Sequence, residues 1–253
     1  MSLKTPSYDG VFDIYRGIMK KLCLCSSLLP EKAVRKLKSE FRVILLPPDH
    51  RIAEPVRCHP DMICSVLDRT IFFHRSYAEA HPDIIDAVIG ESGLTPVLTA
   101  EERSDIYPND IALNAAVMRR RVLCSESHTS PALLTAARSS GRSVVNVKQG
   151  YAACSCIVCG ESVITSDRGI AKALVNIGAD CVYIDPEGIL LPGYNGGFIG
   201  GSGGYADGKL YLTGTLSRLP DSAALRDFAD QRGFETICLT DDPLTDYGGL
   251  KFI

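Results

Sequence analysis

The sequence predicts an α/β fold: a five-fold pseudosymmetric β/α-propeller built of repeated strand, hairpin, strand, helix, strand units. Three observations predict it. Five short runs rich in β-branched residues recur along the chain, at 41–46, 94–99, 143–148, 180–185 and 235–240. A helical pattern precedes each run, and hairpin signals precede four of the five helices.

The helical patterns cover 30–40, 76–92, 131–140, 168–177 and 221–232. Four of the joints to the following strand hold a glycine, namely Gly93, Gly141, Gly178 and Gly233, which suits the left-handed residue that ends a helix. Ser130-Pro131 and Pro220-Asp221-Ser222 supply capping side chains or a first-turn proline. The hairpins are expected over 62–74, 111–125, 155–166 and 198–214. Asp207-Gly208 turns the last of these and Gly160 the third.

Matching positions Asp61, Asp110, Cys154, Ser202 and Asp246 lie 49, 44, 48 and 44 residues apart, so the units have nearly equal length. Four complete units fill 61–240. The fifth is split: its first strand is 248–253, and its helix and last strand come from 30–46. A C-terminal strand that joins the N-terminal unit closes the ring and removes an exposed sheet edge. The expectation is a single domain over 1–253, with 1–29 an extension outside the repeat. A doubly wound fold would need βαβ alternation with few hairpins, and here every unit has one.

Composition narrows the function. The net charge of −3 and 45% hydrophobic content describe a folded chain with no basic face for nucleic acid. The ten cysteines sit mostly in apolar runs and read as buried reduced thiols, not as a disulfide scaffold. No apolar run reaches the ~18 residues of a membrane span. The segment 18–29 carries Lys20 and Lys21 without the order of a signal peptide. The expected setting is cytoplasmic, without membrane, metal or cofactor.

Two local stretches carry a resemblance. Tyr107-Pro108-Asn109-Asp110 resembles the strand start at which guanidino-group-modifying enzymes hold a guanidinium with an aspartate. Asp246-Tyr247-Gly248-Gly249 resembles the glycine pair before their nucleophilic cysteine. With the five repeats, the chain resembles the pentein superfamily. That superfamily includes arginine deiminase, agmatine deiminase, dimethylarginine dimethylaminohydrolase, the amidinotransferases and a non-catalytic ribosome-binding translation initiation factor. The resemblance implies a site for a guanidino compound at the propeller axis. It also shows departures. Phe252 stands at the nucleophile position, and Gly150-Tyr151-Ala152-Ala153 stands where the superfamily has its histidine and a following aspartate. Neither Phe252 nor Tyr151 supports thiolate attack or proton shuttling at neutral pH.

The loops expected at one face of the ring hold twelve acids and four bases, so that face is acidic and would attract cations. Asp61, Asn109, Asp110, Asn114, Tyr151, Asn195, Ser202 and Asp246 are the candidate ligand-binding residues. Cys154 and His59 are the candidate nucleophile and acid–base pair, with Lys148 nearby to depress the thiol. Strand alternation would put Cys154 and Cys156 on one face. Cys154, Cys156 and Cys159 lack a matched fourth ligand for zinc. The glycine-rich stretch 194–204 either lets strands crowd at the axis or offers an amide nest for a carboxylate. Acids and nest together suit a cationic or zwitterionic small molecule. The alternative is a non-catalytic scaffold that binds a macromolecular partner, with 8–29 contributing an apolar patch.

Overall fold

A computed structural model describes residues 20–253. The chain begins with β1 (Leu22–Ser26), α1 (Glu31–Glu40) and β2 (Arg42–Leu46). A single helical turn, α2 (Pro60–Ile63), leads into β3 (Cys64–Leu67) and β4 (Thr70–His74). Helices α3 (Arg75–Ala80) and α4 (Pro82–Ser92) and strand β5 (Thr95–Thr99) complete that unit. Next come β6 (Ala116–Val117), β7 (Arg121–Cys124), α5 (Pro131–Ser139) and β8 (Ser143–Asn146). They are followed by β9 (Cys156–Cys159), β10 (Ser162–Thr165), α6 (Arg168–Asn176) and β11 (Asp180–Tyr183). The last elements are β12 (Gly203–Ala206), β13 (Lys209–Leu212), α7 (Ser222–Asp230), β14 (Glu235–Cys238) and β15 (Lys251–Phe252).

The strands form five three-stranded sheets with one pattern. In four of them the first strand runs antiparallel to the second and the second parallel to the third. Parallel pairing requires a crossover, and the helix between the second and third strands supplies it. The glycines at the helix ends take the expected left-handed conformation, with φ from 64° at Gly178 to 80° at Gly141. Asp207 and Gly208 both have positive φ, as a tight hairpin turn demands. The helical pattern at 76–92 breaks in two at His81-Pro82, because proline cannot continue a helix and constrains the residue before it.

One expectation is corrected. Residues 22–26 are not outside the repeat. β1 is the middle strand of the fifth sheet, antiparallel to β15 and parallel to β2. All five of its residues are buried. The rest of the expected extension, 1–19, lies outside the described residues.

The core is divided among the gaps between sheets. Leu22, Leu24 and Leu46 pack with Ile63, Phe73 and Tyr77. Leu67 and Phe72 pack with Val122 and Cys124. Ala116 and Leu123 meet Cys156 and Val163. Ile157 and Ile164 meet Leu210 and Leu212. Cys23 and Cys25 meet Ala206 and Tyr211. Each sheet thus shares apolar clusters with two others. A cavity of 200 Å³ is lined by residues of all five first strands, β3, β6, β9, β12 and β15.

Placing β1 in the core generates a test. Leu24 is fully buried, whereas Leu28, two residues past the strand, is 56% exposed. Leu24→Ala should cost about 2–5 kcal/mol in urea denaturation, through lost burial and the cavity left behind. Leu28→Ala should stay near wild type. Equal, small effects would place 22–26 outside the core.

Candidate functional site

The loops that lead into the first strands enclose a pocket of 340 Å³. Val56 and His59 come from the loop before β3, Tyr151 and Cys154 from the loop before β9. Leu191, Tyr194, Asn195, Gly196 and Phe198 come from the loop before β12, and Asp246 from the loop before β15. Five sequence-predicted residues therefore meet here: His59, Tyr151, Cys154, Asn195 and Asp246.

Asp246 and His59 line the pocket, and Asp61, which lines the cavity among the first strands, lies beside them. His59 Nδ1 lies 3.6 Å from Asp246 Oδ1 and 4.0 Å from Asp61 Oδ1, and all three side chains are buried. Asp246 accepts hydrogen bonds from the Phe198 N–H at 2.9 Å and the Gly248 N–H at 2.9 Å. Neither Asp61 oxygen has a hydrogen-bond partner among the described residues, nor does His59 Nδ1. Among those residues, no Lys or Arg comes within ion-pair distance of Asp61 or Asp246.

Burial without a countercharge disfavours every ionised form. Asp246 is pushed up to about 7, by desolvation and then by the neighbouring charge of Asp61. Desolvation raises Asp61 to about 6 despite the more distant Lys251. Desolvation lowers His59 to about 3, so it is a neutral imidazole at physiological pH. Two glycines let these groups approach. A Cβ on Gly248, where φ is +78°, would fall 2.2 Å from His59 Cβ. A Cβ on Gly201 would fall 1.8 Å from Asp246 Oδ1.

Asn114 is the clamp of one wall. Its Nδ2 donates to Cys154 Sγ at 3.0 Å and to the Asp61 carbonyl at 3.2 Å. Its Oδ1 accepts from the Ala153 N–H at 2.8 Å. Tyr151 donates its hydroxyl to Asp110 Oδ2 at 2.7 Å, so Asp110 supports the pocket from behind. Behind the floor, buried Arg103 pairs with Asp49 at 2.9 Å and donates to the Met62 carbonyl at 2.6 Å. Burial lowers Arg103 to about 10, which leaves it charged at neutral pH. Arg103 thereby holds the helical turn that carries His59 and Asp61. Sequence reading missed Arg103, Met62, Leu191 and Phe198. The aromatic interruptions of the glycine-rich stretch were the available signal for Tyr194 and Phe198. Nothing local marked the Arg103–Asp49 pair.

Several expectations are corrected. Asn109 is exposed, turns toward Ser104 and does not line the pocket. Ser202 is buried, and its hydroxyl donates to the Phe198 carbonyl. Cys154 and Cys156 do not share a strand face. The turn closed by the Ser155 N–H on the Tyr151 carbonyl precedes β9 and swings Cys154 into the pocket, while Cys156 enters the core. The Cys154 thiol is not activated. Burial, then the charges of Asp61 and Asp246, hold it well above the ordinary cysteine range, and Lys148 is exposed. Much of the expected amide nest is committed as well. The N–H groups of Gly197, Phe198, Ile199, Gly201 and Ser202 are all donated within the protein.

The chain belongs to a protein family described as a family of unknown function, DUF6873, which matches residues 24–251. No curated protein sequence matches the chain. Among solved structures it is similar to the dimethylarginine dimethylaminohydrolase of Pseudomonas aeruginosa, a cysteine-to-serine mutant complexed with citrulline. That match has 11% identity and a TM-score of 0.56, and covers 93% of this chain and 100% of that one. It is also similar to the agmatine deiminase of C. jejuni, at 8% identity and a TM-score of 0.51, covering 92% and 82%. A third is SxtG, an amidinotransferase from Microseira wollei in the saxitoxin biosynthetic pathway. There the identity is 11% and the TM-score 0.51, covering 81% and 72%. At such identities the likeness is one of fold, and the fold is that of the pentein superfamily.

The buried carboxylates set a pH dependence. Unfolded, they ionise near pH ~4; folded, they do so at about 6 and about 7. Between those limits the folded state holds more protons, so their contribution to stability is lost as pH rises. His59 acts oppositely between about 3 and its ordinary value, and two carboxylates outweigh one imidazole. Asp246→Asn removes one of the titrations. Its melting temperature should gain several degrees relative to wild type between pH 5 and pH 8. A constant difference across that range would contradict the buried, unpaired carboxylate.

Proposed function

We propose that this member of the family binds a small cationic guanidino or amino compound at the axis of a five-bladed ring, closed by β15 on β1. Three observations support the ring: the shared clusters between sheets, the central cavity lined by all five first strands, and the β1–β15 pairing.

One observation carries the cation. Asp246, which lines a pocket walled by Tyr151, Tyr194 and Phe198, is buried beside Asp61 and a neutral histidine without a basic partner in contact. A ligand cation would supply the missing countercharge and lie against aromatic faces that attract it. Tyr151 and Phe198 are near-parallel, with ring centroids 6.3 Å apart.

Binding fits this site better than covalent turnover. Phe252, at the position the resemblance gives to a nucleophile, packs its ring on Phe41 and Tyr211. Tyr151, where the resemblance places a histidine, is bound to Asp110 and has its phenol raised by burial. Cys154 is the one thiol lining the pocket, and its surroundings keep it protonated.

Thermal shift with guanidines, diamines, polyamines and neutral ureas provides the test. At least one cationic class should stabilise wild type by several degrees, since binding to the native state raises its stability. The ureas should not, and Asp246→Asn should abolish the effect. The ligand should be recovered unchanged. No shift from any cation would leave the scaffold reading. Product formed by wild type but not by Cys154→Ala would replace binding with hydrolysis.

A further inference from the structure

We infer that the pocket selects cations that carry no carboxylate: an ammonium or guanidinium head on an uncharged, apolar stem. Such a group occurs in a free amine and in a Lys or Arg side chain within a polypeptide. The inference rests on the cation reading above and narrows it to exclude free α-amino acids.

The first observation is the charge of the walls. Among the described residues, no Lys or Arg lines the pocket. The base nearest in sequence, Arg57 beside Val56, faces Glu54 at 3.4 Å. A carboxylate drawn into this space would lose its water without a charged partner, at a large desolvation cost. It would also be repelled by the carboxylates that attract the cationic end.

The second observation concerns neutral donors. Backbone N–H groups are the usual substitute for a base at a carboxylate. Here five amides of the glycine-rich segment, between Gly197 and Ser202, are donated within the protein, which leaves the exposed Asn195 and Gly196 at the mouth as the neutral donors of this loop. Gly197 donates to Ile189, Gly201 to Cys154 and Ser202 to Ile199, all to carbonyls. Phe198 donates to Asp246, and Ile199 to the Ser166 hydroxyl. The Tyr151 hydroxyl is committed to Asp110.

The third observation is what the stem would meet. Val56, Leu191 and Phe198 give the pocket apolar walls. Tyr194, which also lines the pocket, is 52% exposed. Tyr107 is 49% exposed, with its ring 5.8 Å from that of Tyr151. Val56, Leu191, Phe198 and the half-exposed Tyr194 offer an uncharged stem apolar contact within the pocket.

Matched pairs that differ only in the carboxylate give the test: agmatine against arginine, and cadaverine against lysine, by calorimetry at pH 7.5. Each decarboxylated member should bind at least tenfold more tightly than its amino acid. N-acetyl-arginine amide and N-acetyl-lysine amide distinguish the sources. Binding of these capped residues points to a polypeptide side chain, and rejection of both, with the amines bound, points to a free amine. Tyr194→Arg, at an exposed position, should narrow the gap by supplying the missing base. Arginine or lysine binding as tightly as its partner would overturn the inference while leaving the cation reading intact. Failure of every compound would overturn both.

Discussion

Two buried aspartates lie within 4.0 Å of a buried histidine, with no Lys or Arg among the described residues in ion-pair contact, and much of the local structure follows from that arrangement. Asp246 tolerates burial because two backbone N–H groups bind its oxygens. Asp61 has no such bonds, and burial makes its carboxyl easier to protonate than in water. The groups can stand this close because Gly201 and Gly248 have no side chains. The turn that presents His59 and Asp61 is anchored at its far end by Arg103, whose own charge is answered by Asp49. A positive charge is therefore supplied to the scaffold of the site and withheld from its floor.

The periodic parts of the fold were legible in the sequence because they repeat. A strand, a helix and a glycine joint recurring five times is a signal no single segment carries, and the four complete units lie close to where that signal put them. β1 escaped because one of its two partners is remote. Leu22–Ser26 is a five-residue strand that makes sense only once the C-terminal β15 lies beside it, about 230 residues away. Within the site, His59, Asp61, Cys154 and Asp246 were visible as chemically unusual residues at corresponding positions in the repeat. Their environment was not. Whether a thiol is activated depends on the charges that face it, and the turn before β9 turned Cys154 toward carboxylates instead of Lys148. The glycine-rich stretch was open to two readings, and crowding prevailed. Gly200 lies so close to Ala153 and Cys156 that a Cβ there would fall 2.4 Å from their backbone atoms. Asn109 and Ser202 were nominated by position in the repeat alone, and neither points at the pocket.

Shared fold and shared chemistry separate clearly in this protein. The five three-stranded sheets place loops from several units around one pocket whatever residues those loops hold. The similar enzymes act on guanidino compounds by their names, and this chain keeps an acidic pocket in the corresponding architecture. It differs in the groups that would perform a reaction. A half-buried phenylalanine packs on two aromatic rings where the resemblance expects a thiol. A tyrosine tied to Asp110 stands where it expects a histidine. The proposed reading as a cation site rests on that difference and on the buried carboxylates.

The most direct measurement is the number of protons released when a cation binds, by calorimetry at pH 6.5 in buffers of different ionisation enthalpy. In the free protein Asp246, at about 7, is mostly protonated at this pH. A bound cation favours the ionised form, so binding should release a substantial fraction of a proton, and affinity should rise with pH through 6 to 7. Binding with no proton release, or with uptake, would contradict a buried carboxylate pair as the seat of recognition.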